Sequence, residues 1–150
     1  LKPNLYSNLH YDNVVDAEVL KKVTPVITFR ERRAYDNQYH LSTEEDIFEA
    51  GQQLLQELSA DGVLVTRGED GMVLLEKDGA IHNIPVSDKS EVFDVSGAGD
   101  TCVATVILAL AAGVEPSTAA ELSNIASGIA VRKLGTATVS AAELRRAVKK

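Results

Sequence analysis

Asp94-Val95-Ser96-Gly97-Ala98-Gly99-Asp100, named here the glycine loop, stands directly before a run of small and apolar residues at positions 101–112. That run predicts a helix, which Gly113 is suited to end. Small residues allow the loop amides from Gly97 to Asp100 to turn toward one point, where the helix dipole adds about half a positive charge. The glycine loop therefore predicts an anion-binding site at the start of a helix.

Asp100 is an unexpected residue at an anion site, because its carboxylate would repel a bound phosphate. The residue fits if it accepts a proton from a hydroxyl group that attacks the phosphate. The alternative is that Gly-Ala-Gly-Asp is only a tight connection, with Asp100 as the N-cap of the helix. The loop alone leaves both interpretations open.

Composition limits the class of protein. With 150 residues and 45% apolar side chains, the chain suffices for the core of one domain or of part of a larger one. A formal charge of -7 disfavours nucleic acid and anionic membranes as partners and favours a small molecule. Cys102 has no cysteine with which to form an intramolecular disulfide, and no stretch resembles a membrane span or a secretory signal, so we expect a reducing, cytoplasmic setting.

Helix and strand signals alternate before the glycine loop. Positions 42–58 predict a helix, since apolar residues recur at helical spacing and Ser42 with Glu45 forms a capping box. Positions 62–66, G-V-L-V-T, form a continuous apolar run typical of a buried parallel strand. A glycine-containing turn and a hairpin around Asp78-Gly79 should follow. Positions 6–40 show no clear periodicity.

Two further helices are predicted after the glycine-loop helix. Pro116 opens the first, which should extend to about Arg132. Ser140 and Glu143 form a capping box for a terminal helix. The order of strands, hairpin and helices is that of an α/β fold.

Three strings carry a resemblance to a known family. D-V-S-G-A-G-D-T at 94–101 resembles the second signature of the ribokinase-like (PfkB) sugar kinases. V-T-R-G-E-D-G at 65–71 and N-I-A-S-G-I-A-V-R-K-L-G-T at 124–136 stand at the distances that this family shows. The resemblance implies a ribokinase-like three-layer α/β/α sandwich, of which residues 1–150 would be the C-terminal, nucleotide-binding half of a single domain. Residues 62–150 match well and residues 1–40 match poorly.

The resemblance also implies roles for individual residues in an ATP-dependent carbohydrate kinase. Asp100 would be the catalytic base, and the amides of Gly97, Ala98 and Gly99 would stabilise charge on the transferring phosphoryl group. The residues expected to bind ATP lie against its phosphates and ribose or against its adenine: Thr66, Gly68, Gly71, Asn124, Ser127 and Gly128. Taken alone, Gly68 and Gly71 could be simple turn formers, and Asn124 a locally bonded polar residue.

Metal sites follow from the same resemblance. Asp94, the carbonyl of Ser96 and the turn at Gly135 correspond to a monovalent-cation (K⁺) site in several members. Asn4 corresponds to a residue that supports Mg²⁺ and phosphate, although the Glu that family members carry three positions later is missing, because Ser7 stands there. Cys102 is expected to be a small buried residue. His10, His40 and His82 lack zinc-ligand spacing.

The string K-L-G-T-A-T-V-S at 133–140, followed by A-A-E-L, looks most like the D-glycero-β-D-manno-heptose-7-phosphate kinases of lipopolysaccharide synthesis. A ribokinase or fructokinase type of activity stays open, as does a non-catalytic nucleotide-binding module. A dinucleotide-binding oxidoreductase is disfavoured, because its glycine fingerprint should open the first βαβ unit. Without the sugar-binding half, the chain should bind ATP weakly at most and self-associate through uncovered apolar surface.

Overall fold

In the part of the chain that the structure describes, the fold is a sheet of four strands with helices on both faces. The computed structural model describes residues 26–28, 43–87 and 92–149. Its elements in chain order are β1 (Val26–Thr28), α1 (Glu44–Leu58), β2 (Gly62–Thr66), β3 (Met72–Glu76), β4 (Ile81–Ile84), α2 (Ala98–Ala111), α3 (Pro116–Ala130) and α4 (Ala141–Val148), with a 3₁₀ turn at Gly68–Asp70 between β2 and β3.

The strand order in the sheet is β1-β2-β3-β4. β1 runs parallel to β2, with Val26 opposite Leu64, and the other two pairs are antiparallel. The predicted strand at 62–66 is therefore confirmed, and so is its parallel pairing. The predicted hairpin is confirmed as β3 and β4, and Gly79 takes the positive φ of +92° that its turn requires.

Strands β2 and β3 are buried on both faces of the sheet, and their alternate side chains point to opposite faces. One face, made by Val63, Val65, Val73 and Leu75, packs on apolar side chains of α1. The other face packs on α2 and α3, in a cluster made by Leu64, Met72, Leu74, Ile84, Cys102, Val106 and Ala120. The predicted three-layer α/β/α arrangement is confirmed.

The capping box of α1 differs from the prediction by one residue. Thr43, not Ser42, precedes the helix, and its hydroxyl accepts a hydrogen bond from the amide of Asp46 at 3.2 Å. The Asp46 carboxylate accepts one from the amide of Thr43 at 2.8 Å. The Ser42–Glu45 prediction was wrong because two overlapping pairs carry the pattern, and a helix beginning at Glu44 places three acidic residues in the first turn. Ser42 itself lies outside the described residues.

Two of the last three helices, α2 and α3, differ slightly from the predicted bounds. α2 begins at Ala98 rather than Thr101, so it takes in the end of the glycine loop. α3 ends at Ala130, two residues before the predicted end. Gly113 follows α2 with a φ of +80°, and the Ser140–Glu143 capping box of α4 is confirmed. Within the described ranges, no helix combines the length and apolar character required to cross a bilayer.

Gly71 should be intolerant of any side chain. Its φ is +84°, and an added Cβ would meet the carbonyl of Ile84 and lie 2.8 Å from the amide nitrogen of Val86. Gly79 is a matched control, because it has a φ of +92° but open space around a Cβ. Gly79→Ala should cost about 1 kcal/mol of unfolding free energy and Gly71→Ala about 3 kcal/mol, since Gly71 adds steric overlap and a ψ of −132° to the penalty of a positive φ. Urea denaturation measures both, and equal losses would contradict the packing argument.

Glu143 should give stability a dependence on acidic pH. Hydrogen bonds from Lys133 and Ser140 lower the pKa of its carboxyl to about 2. Because this pKa lies below the unfolded value near 4.5, the contribution is complete above about pH 5 and is lost as the pH falls toward about 2. Gln at this position keeps the capping box but has no charge. The difference in unfolding free energy between wild type and Glu143→Gln should therefore shrink between about pH 5 and about pH 3 and stay constant above; a constant difference throughout would contradict the assignment.

Candidate active site

The glycine loop ends in the first turn of α2. Gly97 is the N-cap, with a left-handed φ of +77°, and Ala98, Gly99 and Asp100 are the first three helical residues. The amide of Ala98 donates to the carbonyl of Val95 at 3.2 Å and so closes a turn. Its predicted contact with the transferring phosphoryl group stays a prediction. In the described part of the chain, the amides of Gly97, Gly99 and Asp100 have no backbone acceptor. Donors at a helix N-terminus suit an anion.

Asp100 is the third residue of α2 and is exposed. The interpretation of Asp100 as the N-cap is wrong, because Gly97 occupies that position. Among the described residues, its carboxylate makes no hydrogen bond or ion pair. The carboxylate is therefore available to a ligand.

Asp94 connects the glycine loop to the segment after α3. Its carboxylate accepts hydrogen bonds from the amide of Ser96 at 2.8 Å and from the amide of Gly135 at 3.1 Å. The three residues predicted to form a cation site are thus brought together. The amides of Phe93 and Asp94 also donate to the carbonyl of Val131, at 2.9 and 3.1 Å.

Thr136 lies against the N-cap of α2. A Cβ at Gly97 would come within 2.9 Å of the Thr136 methyl carbon. Two features therefore require a glycine at position 97: the left-handed backbone and the close approach of the Thr136 methyl group. The sequence analysis missed Thr136, although it lies next to Gly135 in the string that carries the family resemblance.

The residues predicted on the adenine side make contacts within the protein. The Asn124 side-chain amide donates to the carbonyl of Pro85 at 2.6 Å, a bond to a residue 39 positions away and not the local bond of the alternative interpretation. Ser127 donates to the carbonyl of Ala98 at 3.1 Å and so ties α3 to the first turn of α2. A Cβ at Gly128 would lie 2.8 Å from the hydroxyl of Ser87. Asn124 and Gly128 thus hold the segment after β4 against α3. Contact of Asn124, Ser127 and Gly128 with a nucleotide stays a prediction.

Thr66, Gly68 and Gly71 lie together at the β2–β3 connection. Thr66 ends β2, and both glycines have positive φ angles, +62° and +84°. The amide of Arg67 closes the turn by donating to the carbonyl of Gly71 at 2.7 Å. The turn-forming role of the glycines is confirmed. A Cβ at Gly68 would meet nothing within 4 Å, so this side of the turn is open.

Cys102 and His82 are in contact with other residues of the fold. Cys102 is buried as expected, and burial raises the pKa of its thiol, which disfavours a nucleophilic thiolate. His82 lies 2.9 Å from the carboxylate of Glu76. No group of three or more His, Cys, Asp or Glu residues able to hold a metal occurs in the described segments. Asn4, His10 and His40 lie outside those segments.

Comparison with known families and proteins agrees with this geometry. Residues 20–143 match the pfkB family of carbohydrate kinases. The chain belongs to this family. It is 50% identical over 111 residues to the bifunctional protein HldE of Pseudomonas savastanoi pv. phaseolicola, across 74% of this chain and 23% of that protein. It is 44% identical over 109 residues to the HldE of Coxiella burnetii, across 73% and 23%. The chain thus spans about a quarter of the length of these curated relatives.

Solved structures confirm the ribokinase-like fold. Arabidopsis thaliana ribokinase, in complex with ribose and ATP, superposes with a TM-score of 0.73 at 20% identity, across 93% of this chain and 45% of that chain. Escherichia coli phosphofructokinase-2, in complex with potassium, gives a TM-score of 0.72 at 20% identity, across 83% and 39%.

Gly97 and Thr136 should be energetically coupled. Gly97→Ala should lower the unfolding free energy by about 3 kcal/mol, from the left-handed φ and the overlap with the Thr136 methyl group. Thr136→Ser removes that methyl group, so the double variant should recover about 1 kcal/mol of the loss. A double-mutant cycle by chemical denaturation measures the coupling. Strict additivity of the two substitutions would contradict the contact.

Proposed function

We propose that this chain carries the nucleotide-binding and phosphoryl-transfer part of an ATP-dependent carbohydrate kinase, with Asp100 as its general base. The supporting observation is the exposed Asp100 carboxylate, which shares one helical turn with the unbonded amides of Gly99 and Asp100. Phosphoryl transfer depends mainly on positioning and electrostatics. One helical turn that holds a proton acceptor and amide hydrogen-bond donors for an anion meets both requirements.

The proposed reaction uses these groups in one displacement. The sugar hydroxyl oxygen forms a bond to the γ-phosphorus of ATP, while the bond from that phosphorus to the β–γ bridging oxygen breaks and ADP leaves. The hydroxyl proton passes to the carboxylate of Asp100. The amides of Gly97 and Gly99 and the N-terminus of α2 stabilise the charge on the phosphoryl oxygens. Ala98 takes part through the turn that its amide closes.

ATP would lie between the two other strings of the family resemblance, residues 65–71 and residues 124–136. Thr66, Gly68 and Gly71 would contact its phosphates and ribose, and the open side of Gly68 leaves room for this approach. Asn124, Ser127 and Gly128 would lie on the adenine side. For Asn124 and Gly128 we propose an indirect role, since they hold the segment after β4, which would form one wall of the adenine site.

Ions would complete the site. Mg²⁺ bound to ATP would neutralise phosphate charge, and it commonly takes one or two carboxylates together with substrate phosphates. Asn4 is the residue that the family resemblance gives for supporting Mg²⁺ and phosphate. K⁺ would be held through oxygen atoms of Asp94, Ser96 and Gly135. The Asp94 carboxylate would then bind both the ion and the amides of Ser96 and Gly135.

For the sugar substrate we propose D-glycero-β-D-manno-heptose 7-phosphate. The resemblance of residues 133–144 to kinases of this substrate supports the choice. Identity of 50% to a bifunctional protein HldE supports a substrate shared with those relatives. A small-molecule partner also agrees with the net charge of -7.

In a complete kinase domain that contains this chain, Asp100→Asn should reduce kcat by about 10² to 10⁴, because the variant loses the proton acceptor. ATP affinity should stay within about twofold, since removal of the base leaves the amides in place. Asp61→Asn is a matched control, because Asp61 is exposed and its partner Lys77 lies in the β3–β4 hairpin. Steady-state kinetics with heptose 7-phosphate, beside calorimetric ATP titration, give both quantities.

Two outcomes would contradict this proposal. A parallel loss of ATP affinity in Asp100→Asn would assign Asp100 to nucleotide binding instead of catalysis. ATP binding by the complete wild-type domain without phosphorylation of any sugar would favour the non-catalytic nucleotide-binding module.

A further inference from the structure

The loop between α3 and α4 is closed by one lysine. The Lys133 ammonium donates to the carbonyl of Thr138 at 2.7 Å and pairs with the Glu143 carboxylate at 2.7 Å. Glu143 is itself fixed, because its carboxylate accepts hydrogen bonds from the amide and the hydroxyl of Ser140, at 2.8 and 2.7 Å. Residues 133–138 thus form a small closed loop anchored to the N-terminus of α4.

The tip of this closed loop contacts the glycine loop. The amide of Gly135 donates to Asp94, and the methyl group of Thr136 lies beside Gly97. Both contacts reach the turn that precedes Gly99 and Asp100. A shift of the closed loop would therefore move the donors proposed to bind the phosphoryl group.

We infer that the Lys133–Glu143 ion pair positions the glycine loop for phosphoryl transfer, by holding residues 133–138 in the conformation that contacts Asp94 and Gly97. This inference rests on the proposed function and deepens it. Lys133 and Glu143 are positioning residues, since they act through Gly135 and Thr136 and do not touch the substrate.

The ion pair is poorly suited to a purely stabilising role. The side chains of Lys133 and Glu143 are 30% and 29% exposed, and ion pairs in contact with solvent contribute little to global stability. The carbonyl of Thr138 gives Lys133 a second acceptor, which fixes the path of the backbone. Besides its contribution to the unfolding free energy, the pair should therefore fix local geometry.

Lys133→Met should lower kcat about tenfold, because small displacements of catalytic groups reduce the rate strongly, while KM for ATP changes less than about twofold. Lys133→Arg should restore most of kcat, since a guanidinium can bond both the carbonyl and the carboxylate. Lys77→Met is the matched control, because it breaks an exposed lysine–aspartate pair in the hairpin. Glu143→Gln, which keeps the capping box, should lower kcat in the same direction as Lys133→Met.

A spectroscopic measurement separates this inference from the proposed function. The ¹⁵N–¹H signals of Gly97 and Gly99 should shift in Lys133→Met, return toward wild type in Lys133→Arg and stay unchanged in Lys77→Met. If the wild type transfers no phosphoryl group, the proposed function fails, and these signals still decide the inference. Unchanged glycine signals in Lys133→Met, or a kcat equal to that of Lys77→Met in an active enzyme, would overturn it.

Discussion

The carboxylate of Asp94 links two parts of the chain that are 41 residues apart, by accepting hydrogen bonds from the amides of Ser96 and Gly135. Hydrogen bonds to an ionised acceptor are stronger than those between neutral groups. They fix the turn from which α2 starts, and therefore the direction of its first amides. The position of Asp100 follows from that turn, since Asp100 is only three residues beyond the N-cap.

The sheet supplies the support behind this turn. Cys102 and Val106 of α2 pack on Leu64, Leu74 and Met72, so the helix cannot rotate without disturbing the core. Ser127 adds a bond from α3 to the carbonyl of Ala98. The glycine loop and α2 thus meet at Gly97, where the left-handed backbone allows the change in direction.

Local patterns predicted the elements well where one physical signal dominated. The apolar run at 62–66 and the Asp-Gly turn gave the correct strands, because burial and positive φ are local demands. The start of α1 was wrong by one residue, because Ser42 and Thr43 both satisfy the capping pattern. The start of α2 was placed too late, because small loop residues carry no sign of whether they are already helical.

The candidate site was predictable mainly through resemblance to a family. Contacts such as Asp94 with Gly135 join distant positions, and no periodicity in the sequence encodes them. The bond from Asn124 to Pro85 and the close approach of Ser87 to Gly128 were not predicted, because each joins positions about 40 residues apart in the sequence.

Two interactions hold the glycine loop in place, the hydrogen bonds to Asp94 directly and the Lys133–Glu143 pair through residues 133–138, and they differ in how they respond to dissolved salt. Asp94 is held by backbone dipoles, whose attraction acts at contact distance and is little affected by mobile ions. The Lys133–Glu143 pair joins two full charges that are partly open to solvent, so its strength falls as ionic strength rises. In the segment after α3, the hydrogen bond from Gly135 to Asp94 should therefore change little with ionic strength, whereas the Lys133–Glu143 pair should weaken as ionic strength rises.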